Sequence, residues 1–214
     1  MKKLLIVAFL FVLANFASAQ TFKNCVPVKH TGWTAEFDTV QKYPVLVQWW
    51  CTPSRVKCKD QLSRKDCFAP DPDYKRVTNL ANSYKGTGLD RGHMCPAADN
   101  LCDPKLAVEC FYFSNMAPQY HSLNAGDWKS LETAVRNLAA SGDSVEVWCG
   151  SVGNAKVVNG LTIPTKCWKV TYDAKTKVWS YYVFNNTANK PIGLKNCMST
   201  QKEVESLTGF TFKP

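Results

Sequence analysis

Apolar residues recur with two different periods along this chain, and the changes between them mark out strands and helices. Residues 44–51, Pro-Val-Leu-Val-Gln-Trp-Trp-Cys, have the β-branched and aromatic content of a strand. Residues 52–88 are rich in Pro, Asp, Lys and Cys; they predict loops with one short helix near 73–82, ending in the flexible turn Gly86-Thr87-Gly88. A short strand then runs to His93, residues 94–109 read as loop, and 111–116, Phe-Tyr-Phe-Ser-Asn-Met, predict a second strand. From about 125 to 140 the period becomes helical, with Trp128, Leu131, Val135 and Leu138 on one stripe and Ser141-Gly142 as the stop. Residues 144–150, 162–172 and 178–185 predict further strands, the last two a hairpin about Asp173-Ala174-Lys175-Thr176. A final helix is expected from Thr200 to Leu207, capped by Thr200 or Ser199 with Glu203 in the capping-box position. No repeat, low-complexity tract or linker interrupts this order.

The first 19 residues depart from the pattern and read as an export signal: Lys2 and Lys3, an apolar stretch from Leu4 to Leu13, then Ala17-Ser18-Ala19 before Gln20. That stretch is short for a membrane span, and no later run reaches about 18 apolar residues. The expectation is therefore a secreted or periplasmic protein, with residues 20–214 forming one domain. The net charge is +9, of which Lys2 and Lys3 supply two. A basic surface favours encounter with polyanions. All ten cysteines lie beyond the signal, at 25, 51, 58, 67, 95, 102, 110, 149, 167 and 197. In an exported chain an even count reads as a disulfide framework of up to five bridges, whose pairing the spacing does not assign. Zinc is disfavoured, because there is no Cys-x-x-Cys pair and His30, His93 and His121 lack a ligand spacing.

Candidate chemistry gathers in one ordered run: Asp90-Arg91-Gly92-His93, then Ser114-Asn115-Met116-Ala117-Pro118-Gln119, then Asn124 and Glu132. A base, a cation, two amides and a carboxylate suit hydrolysis of a phosphodiester with one hard metal ion. A neutral His93 can accept a proton from attacking water; an isolated histidine would instead be a satisfied structural group, which is the reading for His30 and His121. Asn124 offers an amide oxygen to magnesium, with manganese and calcium as alternatives, against a simple helix cap. Glu132, about 80° round a regular helix from Asn124, can hold metal-bound waters, against a solvated helix Glu. Asn115 can support Asn124, His93 or a phosphate, against a turn role at a strand end. Arg91 and, with weaker support, Arg64 can clamp phosphate oxygens, while Asp90 can pair with Arg91 or fix the loop. Two rival readings remain: a nucleic-acid-binding protein without catalysis, and an exported hydrolase with a cysteine nucleophile.

The same run, continued by Gly126, Trp128 and Leu131, resembles the DNA/RNA non-specific endonuclease family, which includes endonuclease G. The likeness covers roughly residues 60–185, reaching Arg64 upstream and Ile163 to Val170 downstream. It implies an α+β, ββα-metal fold with a central antiparallel sheet flanked by helices and a metal core at about 88–140. It further implies magnesium-dependent cleavage of DNA and RNA leaving a 5′-phosphate. By motif position His93 would be the base, Asn124 the direct metal ligand, Glu132 and Asn115 its supports, and Arg91 and Arg64 phosphate contacts. Cys95, Cys102 and Cys110 depart from the family pattern and place a possible disulfide in the loop between the two finger strands.

Overall fold

A computed structural model of the chain describes residues 23–213. The stretch read as an export signal, residues 1–19, lies outside the described residues. Eleven strands are present in the described residues: β1 (Cys25–Lys29), β2 (Thr34–Asp38), β3 (Tyr43–Cys51), β4 (Asp90–His93), β5 (Met116–Gln119), β6 (Val145–Val152), β7 (Lys156–Val158), β8 (Leu161–Ile163), β9 (Lys166–Asp173), β10 (Trp179–Asn185) and β11 (Met198–Ser199). Seven of them form one antiparallel sheet in the order β1-β2-β3-β6-β9-β10-β11, while β4 pairs only with β5 and β7 only with β8.

Period-two alternation sends each strand's side chains to two cores. Val47, Trp49, Val147 and Cys149 face one, which holds the β4–β5 finger and the helix Lys129–Ala140. Leu46, Trp148, Trp168 and Val170 face the other, covered by Val204 of the helix Gln201–Thr208 and by Phe212. The sheet is therefore covered on both faces, giving the expected α+β architecture.

Helix Lys129–Ala140 buries Leu131, Val135 and Ala139. Burying a side chain the size of Leu or Val contributes about 1.5–3 kcal/mol. Leu138, expected on that stripe, is instead exposed, because Ala139 occupies the contact. The last helix has the expected cap: Thr200 accepts from the Glu203 N–H and the Glu203 carboxylate reaches back.

Several elements differ from the sequence reading: β1, β2, β7 and β11 were not expected, and the expected strand 162–172 is broken at Pro164-Thr165 into β8 and β9. Residues 52–88 carry three four-residue helices, Pro53–Val56, Lys75–Thr78 and Ala81–Tyr84. The stretch 94–109 contains the helix Pro104–Glu109, started by the Asp103 side chain accepting from the N–H groups of Lys105 and Leu106. The second finger strand begins at Met116, where the expected one ends, because residues 113–115 turn as a 3₁₀ helix.

The cysteine framework also needs correction. One disulfide is present, Cys58–Cys102, with a Cα–Cα distance of 5.8 Å, and eight thiols are free. Cys51, Cys149 and Cys167 are fully buried on β3, β6 and β9. There they pack as small apolar side chains, a use that a parity count cannot distinguish from bridging.

Candidate active site

The finger strand β4 presents its side chains alternately to two sides. Arg91 and His93 share one side, where the Arg91 guanidinium lies over the Phe68 ring at 4.9 Å and the His93 ring is 5.6 Å from the same phenyl. Phe111 meets His93 edge-on at 5.0 Å, and Arg64 lies 5.5 Å from the Phe111 ring centre. Arg64, Arg91 and His93 thus surround two phenyl rings, Phe68 and Phe111, that meet edge-on at 5.1 Å. Arg64 is exposed and bonded to Asp66 at 2.8 Å.

Among the described residues, three polar atoms around this face are buried without a hydrogen-bond partner: Nε2 of His93, Nε of Arg91 and the hydroxyl of Tyr84, whose ring lies 5.7 Å from the Arg91 guanidinium. Such orphans cost stability, so they mark positions kept for something other than folding. Burial, with the Arg64 charge acting in the same direction, pushes the His93 imidazole down to about 3 from its ordinary value. The ring is neutral at pH 7.

Asp90, on the opposite side, does not pair with Arg91. Its Oδ2 accepts from the Asn124 amide at 2.8 Å and lies 2.9 Å from His121 Nδ1. With its nitrogen committed to Asp90, Asn124 has its carbonyl oxygen left for a cation. The other end of β4 is fastened to the same helical segment, because the Trp128 indole N–H donates to the His93 carbonyl at 3.0 Å. His93 and Asn124 are therefore held by two ties in one frame. His121, set aside by the sequence reading, joins the site through Asp90.

Gly92 is required here for space. A Cβ would stand 2.1 Å from Oε1 of Gln119 and within 2.7 Å of two of its carbons, so a side chain would force apart the finger strands.

Asn124 does not cap a helix. The chain enters helical geometry at His121, passes a π turn over Asn124–Trp128 in which Gly126 is non-helical (φ −98°, ψ −117°), and continues from Lys129. The Asn124 N–H is already bonded to the Tyr120 carbonyl at 3.0 Å, so it is not a free donor for phosphate. The same kink removes the basis for the 80° offset to Glu132, which assumed an unbroken helix.

Glu132 is mostly buried, its side chain 12 % exposed, with Oε1 3.7 Å from Nζ of Lys169, and desolvation raises its carboxyl to about 7 against the pull of Lys169. It is not a solvated helix glutamate. Lys169 is 1 % exposed, and its ammonium lies 3.8 Å from the centre of the Trp128 ring. Arg136, one turn beyond Glu132, bonds the fully buried Asp99 at 2.8 Å. Two acids and two bases thus form a charged layer under Trp128, which itself holds the His93 carbonyl.

Asn115 departs from expectation. Its Oδ1 accepts from the Cys95 N–H at 2.9 Å, and its amide nitrogen donates to the carbonyls of Cys95 and Cys110, both at 2.8 Å. With the amide fully engaged, Asn115 contacts neither Asn124 nor a phosphate; it fixes the turn at the strand end. His30 keeps a structural place, bonded to buried Asp71 at 2.8 Å.

Sequence reasoning assigned no role to Lys169, which stood only within the resembling stretch 163–170. Its signal was there: β9 alternates, and Cys167, Lys169 and Thr171 share the side opposite Trp168 and Val170, so a lysine occupies an inward position.

Among the described residues no group of three or more His, Cys, Asp or Glu side chains gathers into a metal cage. A lone amide oxygen suits a hard ion that keeps most of its waters, as magnesium does.

The chain is similar to several known nucleases. The mitochondrial nuclease EXOG of Xenopus laevis is 29 % identical over 187 residues, covering 75 % of this chain and 51 % of that protein. Nuclease C1 of Cunninghamella echinulata var. echinulata is 30 % identical over 182 residues, covering 75 % of this chain and 72 % of its own. This chain thus spans about half the length of the first relative, 51 %, and more of the second. A chain in the crystal structure of an EndoG/EndoGI complex superposes with a TM-score of 0.73 at 26 % identity, covering 87 % of this chain and 84 % of that one. The family model for DNA/RNA non-specific endonuclease matches residues 14–214, so the likeness extends through β1–β3, beyond the stretch the motifs alone covered. On that match the chain belongs to the DNA/RNA non-specific endonuclease family.

Proposed function

We propose that this protein is an exported, divalent-metal-dependent endonuclease that hydrolyses phosphodiester bonds of DNA and RNA without sequence preference. The observation that carries the reading is the pair of buried, unpartnered atoms, His93 Nε2 and Arg91 Nε, on one side of a strand whose other side fixes Asn124. In this reading the neutral His93 accepts the proton of water attacking phosphorus. A base held near 3 is weak, but an incoming phosphodiester brings negative charge beside the ring and offsets the Arg64 charge, and both effects raise its proton affinity. Arg91 and Arg64 engage the non-bridging oxygens. The Asn124 oxygen would hold a divalent cation, magnesium in preference to manganese or calcium, which would supply charge neutralisation when bound, and the product would carry a 5′-phosphate. Asp90 orients Asn124, and Glu132 with Lys169 supports the helix that carries it. Contacts to phosphate carry no direct base information, so cleavage at many sequences follows. Export rests on the signal at residues 1–19 and fits the Cys58–Cys102 bond.

The deciding experiment incubates the purified chain with plasmid and with RNA, with magnesium and with excess chelator. Degradation of both that stops on chelation is expected; degradation in chelator would overturn the metal's role, and binding without cleavage under any divalent ion would favour a non-catalytic binder. The Asn124→Ala variant should lose at least about 100-fold in activity at a fixed magnesium concentration, since even outer supports of a metal commonly cost up to that factor.

Salt dependence offers a second measurement. Two phosphate clamps release about two counterions, so kcat/KM on duplex DNA should fall about tenfold between about 50 and 200 mM salt. A flat profile with the protein still folded would argue against a phosphate-tracking site.

A further inference from the structure

We propose that Cys95 and Cys110 are a disulfide-forming pair, closing the finger loop from within when the protein meets an exogenous disulfide such as oxidised glutathione. The two sulfurs are 3.9 Å apart and fully buried, the one contact between free thiol sulfurs recorded among the described residues. A bond needs about 2.05 Å, so each sulfur has to move by about 1 Å, within reach of a small side-chain rotation.

Two amides hold the pair in register. Asn115 bonds the Cys95 N–H and carbonyl and the Cys110 carbonyl at 2.8–2.9 Å, which keeps the two backbones in place. Asn100 directs its amide nitrogen to both sulfurs, at 3.4 Å from Cys95 and 3.2 Å from Cys110. Cys51, Cys149 and Cys167, in contrast, sit on separate strands of the large sheet.

The chemistry is thiol–disulfide exchange. One cysteine thiolate displaces half of the reagent disulfide and releases one reagent thiol. The second thiolate then attacks the chain's own sulfur in that mixed disulfide and releases the other, so the two cysteine protons end on two reagent thiols and the reagent is reduced as the pair is oxidised. Burial holds the Cys95 thiol well above its ordinary value, so exchange proceeds as the loop opens or while the chain folds.

The bond would stiffen the site's floor. Cys95 follows His93 by two residues, and Cys110 precedes Phe111, whose ring meets the imidazole edge-on. The loop from 95 to 110 also contains Cys102, already tied to Cys58, so a second bond would fasten it at both its base and its tip. The proposal does not depend on the nuclease reading.

The test equilibrates the purified chain in oxidised or in reduced glutathione, alkylates free thiols under denaturing conditions, and maps the unreduced peptides. A Cys95–Cys110 linkage in the oxidised sample is expected, with a redox-dependent rise in the thermal midpoint that exceeds that of Cys110→Ala by about 5 °C or more. Alkylation of both cysteines after oxidation, or linkage of either to a different cysteine, would overturn it. Peptide mapping of the unsubstituted chain decides the matter even if Cys110→Ala fails to fold.

Discussion

His93→Ala should lower kcat on plasmid DNA and on RNA by about 10²–10⁴-fold, the range for a positioned general base. The folded state should survive, because the imidazole's Nε2 makes no hydrogen bond and the ring packs on Phe68 and Phe111 with one hydrogen bond to the Arg91 backbone. Activity within a few fold of the parent would remove His93 from the mechanism. The same substitution has a second, independent signature. The folded imidazole sits near 3 and the unfolded one near 6.5, so between those values the unfolded chain binds more protons and stability rises with pH. That contribution is complete above about 6.5 and is lost as pH falls towards 3. Urea unfolding at pH 4 and pH 7 should therefore show the variant losing less stability on acidification, by a few kcal/mol at most. Equal acid sensitivity in both proteins would mean that burial does not control this ring.

Lys169→Met should destabilise the protein by about 3 kcal/mol in urea unfolding at pH 8, towards the low end of the cost of breaking a buried pair. The low end follows because Glu132 can take up a proton once its partner is gone. Its carboxyl already stands near 7, and removing the lysine moves it higher. A group whose folded value is raised stabilises below its unfolded value and loses that effect as pH rises through the folded one. The deficit should therefore be smaller at pH 5.5 than at pH 8. Adding Glu132→Gln should recover most of the loss, an interaction that a double-mutant cycle reads directly. A deficit independent of pH, with no recovery in the double variant, would mean that Lys169 acts through packing on Trp128 alone. Activity should fall as well, since Trp128 carries both the Lys169 contact and the bond to the His93 carbonyl.

How legible this protein was in its sequence depended on the range of the interaction involved. The hairpin about Asp173, the strand ending at Cys51 and the Thr200 cap could be read directly, because alternation, turn chemistry and capping act over a few residues. The start of β5 could not. Phe111 and Phe113 alternate with polar neighbours as a strand would, yet they turn into the core because Asn115 binds the backbone of Cys95 and Cys110 across the finger. Glu132 was legible as a candidate but not as a mostly buried one, since its partner Lys169 lies on β9, 37 positions away. The cysteines misled most, because an even count in a chain expected to be exported reads as bridges, while three of these thiols pack in the core as apolar groups.

By itself the sequence determined the α+β order of elements and the family, and it singled out His93, Arg91, Asn124 and Asp90 as candidates, because residue types and spacing are read without knowing the arrangement in space. Only the tertiary structure decided what each one touches: that Asp90 turns from Arg91 to Asn124, that Asn115 is spent on the backbone, that Lys169 stands beneath Trp128, and that two thiols meet beside the base. The physical reason is that a side chain's partners and burial are set by segments far away in the chain, and both its charge state and its hydrogen bonds follow from those partners rather than from its neighbours in sequence.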